Sequence, residues 1–346
     1  MKEAFLAQKG QMELMDVEKP TIQKPDDVII KVLRSCVCGS DLWDFRGINP
    51  VQEHQENSGH EAIGIVEEVG EDITSVQPGD FVIAPFDHGC GHCPACLAGY
   101  EGSCQDHTDN FTVGAQGEYL RYQHGQWALI KIPGKPEDYS EEMKKSLLTL
   151  ADVMATGYHA ARVANVQHGD TVVVMGDGAV GLCAIIAAKM RGAKKIISTS
   201  RHEDRQALAK EFGATHNVAA RGDDAVKEIM ALTDGFGADA VLECVGTEQS
   251  IDTAMKVGRP GSVVGRVGLP HTAKQDLTGA FFQNKMIAGG PASVSTYDKQ
   301  VLLKAVLDGE INPGKVFTNE YTLDNIQEAY DAMDQRQTIK SYLIFE

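Results

Sequence analysis

Along the first half of the chain, apolar residues fall in short β-branched runs rather than at helical spacing. Val28-Ile29-Ile30-Lys31-Val32, Ile63-Gly64-Ile65-Val66 and Phe81-Val82-Ile83-Ala84 are bounded by Pro, Gly and Asp, as strands closed by turns are. Near residue 150 the rhythm changes. Four short apolar runs, Thr171–Met175, Lys195–Thr199, Asp239–Glu243 and Ser262–Val267, alternate with helical patterns. That alternation predicts a parallel sheet with helices on both faces. Beyond about residue 292, Val301–Leu307 and Ile326–Met333 read as helices, and Ser341-Tyr342-Leu343-Ile344 as a last strand. These closing elements are too few for a domain of their own. Residues 1–150 and 293–346 are therefore expected to form one β-rich domain. Residues 151–292 are expected to form an α/β, doubly wound domain inserted in it.

A length of 346 residues suits two cores better than one. Acidic residues outnumber basic ones by 49 to 32, a formal charge of −17, so the surface repels a phosphate backbone and nucleic acid is a poor partner. The apolar stretch around Leu182–Ala188 is far short of the ~20 residues that span a bilayer. Glu3 interrupts the N-terminal segment where a secretory signal needs an apolar run. No membrane partner is expected, and the reading is cytoplasmic. Eight cysteines in a reducing compartment point to metal before disulfides.

Thr171–Met175 runs into Gly176-Asp177-Gly178-Ala179-Val180-Gly181 and then an apolar helix pattern. A G-x-G-x-x-G between a buried strand and a helix predicts a dinucleotide site, with the pyrophosphate against the free N–H groups of Ala179 and Val180. A glycine-rich turn without a ligand is the plainer alternative. NAD sites usually place an acid at the end of the second strand, on the ribose 2′-hydroxyl. Here Ser200 and Arg201 stand there, groups that would bind a 2′-phosphate instead. Ser200 and Glu203 also have the spacing of a capping box, which is compatible with a phosphate site. Arg205 is either a second cation or a solvated helix residue.

Cys90, Cys93, Cys96 and Cys104 have the spacing C-x2-C-x2-C-x7-C. Four thiolates on one loop suit a closed, tetrahedral, structural zinc site. An iron–sulfur cluster or unliganded thiols are the alternatives. His88 and His92 nearby are read as surface. A second set is dispersed: Cys38, His60 and Asp152 are three ligands that would leave zinc an open position. Singly, each has an ordinary reading as core cysteine, surface histidine or helix cap. Cys36 is read as packing.

The stretch Gly59-His60-Glu61-x2-Gly64-x5-Gly70-x2-Ile73, with Cys38-Gly39-Ser40-Asp41, the four-cysteine loop and the Gly176 turn, resembles the zinc-containing medium-chain alcohol dehydrogenases over almost the whole chain. The resemblance implies a GroES-like catalytic domain carrying a Rossmann domain. It implies Cys38, His60 and Asp152 as catalytic zinc ligands and Glu61 as a supporting or alternate ligand. Thr156 and the turn Val267-Gly268-Leu269 match positions near the nicotinamide. Asp152 as third ligand resembles the bacterial NADP-dependent secondary-alcohol dehydrogenases; other branches carry Cys or Glu there. Many members have a proton-relay histidine five residues after the zinc cysteine. This chain has Trp43, which leaves the relay open beyond Ser40 and makes Trp43 a candidate wall of the substrate pocket.

The resemblance implies two zinc ions, NADP(H) and a secondary alcohol or its ketone. Ser40 would pass the proton outward. A polyol, diol or amino-alcohol such as threonine is the alternative substrate, and a non-catalytic NADPH-binding protein the distant one. A homo-oligomer is expected, a tetramer rather than a dimer.

Overall fold

The computed structural model describes residues 1–48, 58–106, 111–270, 277–292 and 296–346. The chain divides into two compact units, Met1–Asp152 with Ser293–Glu346, and Val153–Ala292. The domain junction expected at residue 293 falls on 293–295, outside the described residues.

Among the described residues, the first unit is organised by a seven-stranded sheet. Strand Val28–Cys36 lies at its centre, antiparallel to Ala62–Val69, Tyr119–Tyr122 and Lys340–Ile344. Phe81–Ala84 continues the sheet from Ala62–Val69, with Ile130–Ile132 beyond it. Phe317–Thr322 runs parallel to Lys340–Ile344 on the other side. The expected run at residues 28–32 is the first part of a nine-residue strand, Val28–Cys36. That extra length carries the chain to Cys38. A separate hairpin, Lys2–Gln8 with Gln11–Asp16, packs Ala4, Leu6 and Met12 into the same core as Val28, Ile30, Val82 and Leu120.

The second unit holds a six-stranded, all-parallel sheet among the described residues. Across the sheet the strands run His216–Val218, Lys195–Thr199, Thr171–Met175, Ala238–Glu243, Gly258–Arg266 and Met286–Gly289. In chain order that is 3-2-1-4-5-6, the arrangement of dinucleotide-binding Rossmann sheets, whose order reverses beside the first strand. Val172–Val174 are fully buried because helices cover both faces. Helix Ala179–Met190 is buried along Gly181–Ala188, which accounts for its apolar composition all round. Gly181 has no room for a side chain: a Cβ there would lie 2.1 Å from the Gly176 carbonyl oxygen. No helix of the described residues is long and apolar enough to cross a membrane.

Candidate active site and zinc centres

The four-cysteine loop is assembled by one short helix and one turn. Cys93 caps helix Pro94–Leu97, its Sγ accepting the Cys96 N–H. All four sulfurs lie within 4.8 Å of one another. Two cross-pairs, Cys90–Cys96 and Cys93–Cys104, stand at 4.0 and 3.9 Å. Zinc–sulfur bonds of about 2.3 Å in a tetrahedron place sulfurs about 3.8 Å apart, so the donor set fits that ion. Backbone N–H groups of Cys90, His92, Cys93, Cys96 and Gln105 point at these sulfurs. They favour thiolate, and hydrogen bonding led by Gln105 lowers the Cys93 pKa to about 6, whereas burial pushes the Cys90 and Cys96 thiols up.

His92 is on the surface beside Asp106, but His88 is not, contrary to the expectation. It is 1% exposed and meets the Tyr122 ring edge-on. Glu101, inside the cysteine loop, forms a buried ion pair with Lys299 at 3.2 Å and accepts the Trp127 indole N–H. This tie is not legible from the amino-acid order, because a lysine at helical spacing reads as a surface residue.

The dispersed set converges. Cys38 follows strand Val28–Cys36, His60 and Glu61 immediately precede Ala62–Val69, and Asp152 ends a 3-10 turn. Cys38, His60, Glu61 and Asp152 place their ligand atoms within 4.8 Å of one another. Asp152 Oδ2 is 3.5 Å from both Cys38 Sγ and His60 Nε2. Asp41, to which the sequence assigned no role, holds the set from behind. Its Oδ2 accepts the Cys38 N–H at 2.8 Å, and its Oδ1 lies 3.2 Å from His60 Nδ1. A carboxylate on the outer nitrogen leaves Nε2 to face a metal. Burial opposes charge on His60, yet Asp41 and Asp152 together raise its pKa well above the usual value. The cluster therefore attracts positive charge, and a zinc ion would take the place of that proton.

Glu61 is buried behind these ligands. Lys340, equally buried, donates to its Oε1 at 2.6 Å and to the Val37 carbonyl at 3.3 Å. Glu61 Oε2 is buried without a hydrogen-bond partner, while Oε1, the oxygen Lys340 holds, lies 3.9 Å from His60 Nε2. Burial pushes the Glu61 pKa up, and Lys340 counters it. Cys36 is buried in the strand, consistent with packing. Ser40 begins helix Asp41–Phe45 without a side-chain capping bond, so its hydroxyl is not committed there. Trp43 lies half-buried on the same helix.

In the second unit, Gly176–Gly181 turns at the C-terminal end of Thr171–Met175. A Cβ added at Gly178 would meet nothing within 4 Å, and no side chain caps helix Ala179–Met190. Open space before uncapped N–H groups is what a pyrophosphate needs. The capping box at Ser200 is not formed. Helix Glu203–Phe212 has His202 at its N-cap with no side-chain cap. The Ser200 hydroxyl instead accepts the His202 N–H and donates to Asp177. Arg201 is exposed, whereas Arg205 is largely covered and also bonds Asp177, so Arg205 is not a freely solvated residue. Thr156 is buried in helix Val153–Val163. Strand Gly258–Arg266 stops one residue short of the expectation, and the N–H groups of Val267 and Gly268 both bond the Glu243 carbonyl.

A sheet of Rossmann order, in a chain that also gathers two sets of zinc-type donors, fits a zinc-dependent oxidoreductase working with a nicotinamide. Family models agree: residues 24–134 match the alcohol dehydrogenase GroES-like domain and 179–297 the zinc-binding dehydrogenase domain. An NADP-dependent isopropanol dehydrogenase from Thermoanaerobacter brockii is 30% identical, over 97% of both chains. A sorbitol dehydrogenase from Bacillus subtilis is also 30% identical, over 96% of this chain and 93% of its own. The solved zinc-dependent alcohol dehydrogenase 2 from Streptococcus pneumonia superposes with a TM-score of 0.89 at 32% identity, covering 100% of this chain and 99% of its own. The chain belongs to the zinc-containing medium-chain alcohol dehydrogenase family.

Proposed function

We propose that this enzyme interconverts a secondary alcohol and its ketone with NADP(H), using one catalytic and one structural zinc. The observation that carries the metal chemistry is the meeting of Cys38, His60 and Asp152. Three protein ligands leave a fourth position for substrate oxygen. When bound, zinc supplies Lewis acidity at that oxygen, and the nicotinamide accepts or delivers hydride. Cys38, His60 and Asp152 hold the metal, with Glu61 behind them. Asp41 fixes the His60 ring, and Lys340 pairs with Glu61. The Ser40 hydroxyl carries the proton between substrate and solvent, and Trp43 walls the substrate. Cys90, Cys93, Cys96 and Cys104 hold the structural ion.

Gly176, Gly178, Ala179, Val180 and Gly181 receive the pyrophosphate, while Thr156, Val267 and Gly268 flank the nicotinamide. Ser200, Arg201 and Arg205 receive the 2′-phosphate, supported by the missing acid at the end of Lys195–Thr199 and by the NADP-dependent relative. Asp152 as third ligand supports the secondary alcohol. The sorbitol dehydrogenase relative, at equal identity, favours a polyol as the second reading. Eight cysteines with no disulfide among them suit a cytoplasmic setting, and we assign the enzyme there as a homotetramer.

The test is a panel of secondary alcohols, polyols and threonine, each with NADP+ and NAD+, followed by absorbance of the reduced cofactor. Zinc is counted on the same preparation. Turnover of secondary alcohols with NADP+ and about two zinc ions per chain is expected. Full activity in chelated, metal-free protein would refute the zinc chemistry. Turnover confined to polyols would select the second reading.

A further inference from the structure

Two of the groups expected to receive a 2′-phosphate, Ser200 and Arg205, already hold an anion, and it belongs to the chain itself. Asp177 is the second residue of the glycine turn. Its Oδ2 accepts the Ser200 hydroxyl at 2.7 Å. Arg205 Nη1 donates to its Oδ1 at 3.3 Å and to its backbone carbonyl at 3.2 Å. Ser200 is buried and the Arg205 side chain is 11% exposed, whereas the Asp177 side chain is 26% exposed. The carboxylate thus faces solvent from between the two groups. Arg201, the remaining cation, is exposed.

In folds of this order an acid beside the adenosine ribose has two effects. It accepts the 2′-hydroxyl of NAD(H), and it repels the 2′-phosphate of NADP(H). That acid ordinarily stands at the end of the second strand, where this chain has Ser200. Here a carboxylate reaches the same place from the glycine turn. We propose that Asp177 is a cofactor-specificity residue whose carboxylate favours the 2′-hydroxyl of NAD(H) and opposes the 2′-phosphate of NADP(H), limiting the NADP(H) preference that Ser200 and Arg201 confer. The inference rests on the proposed assignment of Ser200 and Arg201 to the adenosine ribose.

Asp177→Asn keeps the shape and one acceptor for Ser200 but removes the charge. Asp177→Glu keeps the charge. The zinc-loaded full-length protein and its variants are titrated calorimetrically with NADPH, NADH and 2′,5′-ADP, and the measured quantity is the ratio of NADPH to NADH affinity. A hydrogen bond to a charged group corresponds to roughly 10- to 150-fold in affinity. Asp177→Asn is therefore expected to shift the ratio towards NADPH by at least about ten-fold and to tighten 2′,5′-ADP, with Asp177→Glu close to wild type. General loosening of the turn weakens both cofactors and leaves the ratio alone. An unchanged ratio, or a shift towards NADH, overturns the inference. Arg201→Ala is run in parallel. If it weakens NADPH alone while Asp177→Asn leaves the ratio unchanged, only the role of Asp177 fails. If it leaves NADPH binding intact, the assignment of Ser200 and Arg201 fails.

Discussion

Lys340→Met is the most informative single change in the first unit. Lys340 and Glu61 are each 1% exposed and 2.6 Å apart. At an effective dielectric constant of about 20 their gross attraction is about 6 kcal/mol, much of it offset by the cost of drying both ions. Removing only the cation leaves Glu61 buried with no countercharge except what a metal provides. Breaking a buried pair in this way typically costs about 3–5 kcal/mol. The variant also loses the bond from Lys340 to the Val37 carbonyl, next to Cys38. Urea denaturation of the zinc-loaded protein, with zinc assayed on the same samples, is expected to show a loss of that size together with altered zinc retention. Glu61→Gln combined with Lys340→Met removes both charges and should recover more than half of the lost stability. A loss below about 1 kcal/mol for Lys340→Met, or a double variant no more stable than the single one, would refute the account of Glu61 as an ionised group held by Lys340.

Three further outcomes are expected. Cys104→Ser should lower thermal stability before it alters turnover per folded molecule, because a closed zinc site contributes folding energy; normal heat resistance with lost turnover would reverse the roles of the two zinc centres. Ser40→Ala should lower kcat by roughly 10²- to 10⁴-fold with zinc content unchanged, and a kcat near wild type would mean that water carries the proton. The Arg34 guanidinium holds the Glu141 pKa down to about 2 from its ordinary 4.5, so the pair stabilises the fold above about pH 4.5 and that contribution is lost as pH falls towards 2. With the Glu141 side chain 42% exposed, solvent screening limits the effect to about 1 kcal/mol; Glu141→Gln should melt lower at neutral pH, by a margin that narrows below pH 4.5, and a constant margin would point to packing instead.

Strands buried on both faces were the most legible in the sequence. Thr171–Met175 and Lys195–Thr199 occur with the expected ends, because an apolar β-branched run between turn residues has few other uses. The hairpin Lys2–Asp16 is not legible in the sequence. Its Gln, Glu, Met and Leu residues favour no strand locally, and only packing against the central sheet makes it one. The candidate donors Cys38, His60 and Asp152 could be named from resemblance, but the groups that support them could not. Asp41 acts through two contacts set by the turn after Cys38, and Lys340 meets Glu61 only through strand pairing at long range. The mistaken cap at Ser200 has a similar cause. The sequence shows that its hydroxyl can cap a helix but not that Asp177 competes for it.

The pairing of Lys340 with Glu61 spans 279 positions, and that interval has a duration. At roughly 5–20 residues per second, a ribosome emits Lys340 about 14 s to nearly a minute after Glu61. Cys38, His60 and Asp152 all precede the parallel-sheet unit in the chain. For that period the nascent chain presents every side chain of the dispersed donor set while the central strand Val28–Cys36 still lacks its neighbour Lys340–Ile344. Until the last strand arrives, Glu61 has no lysine to meet its carboxylate, and the completed pair forms only with the final strand of the sheet.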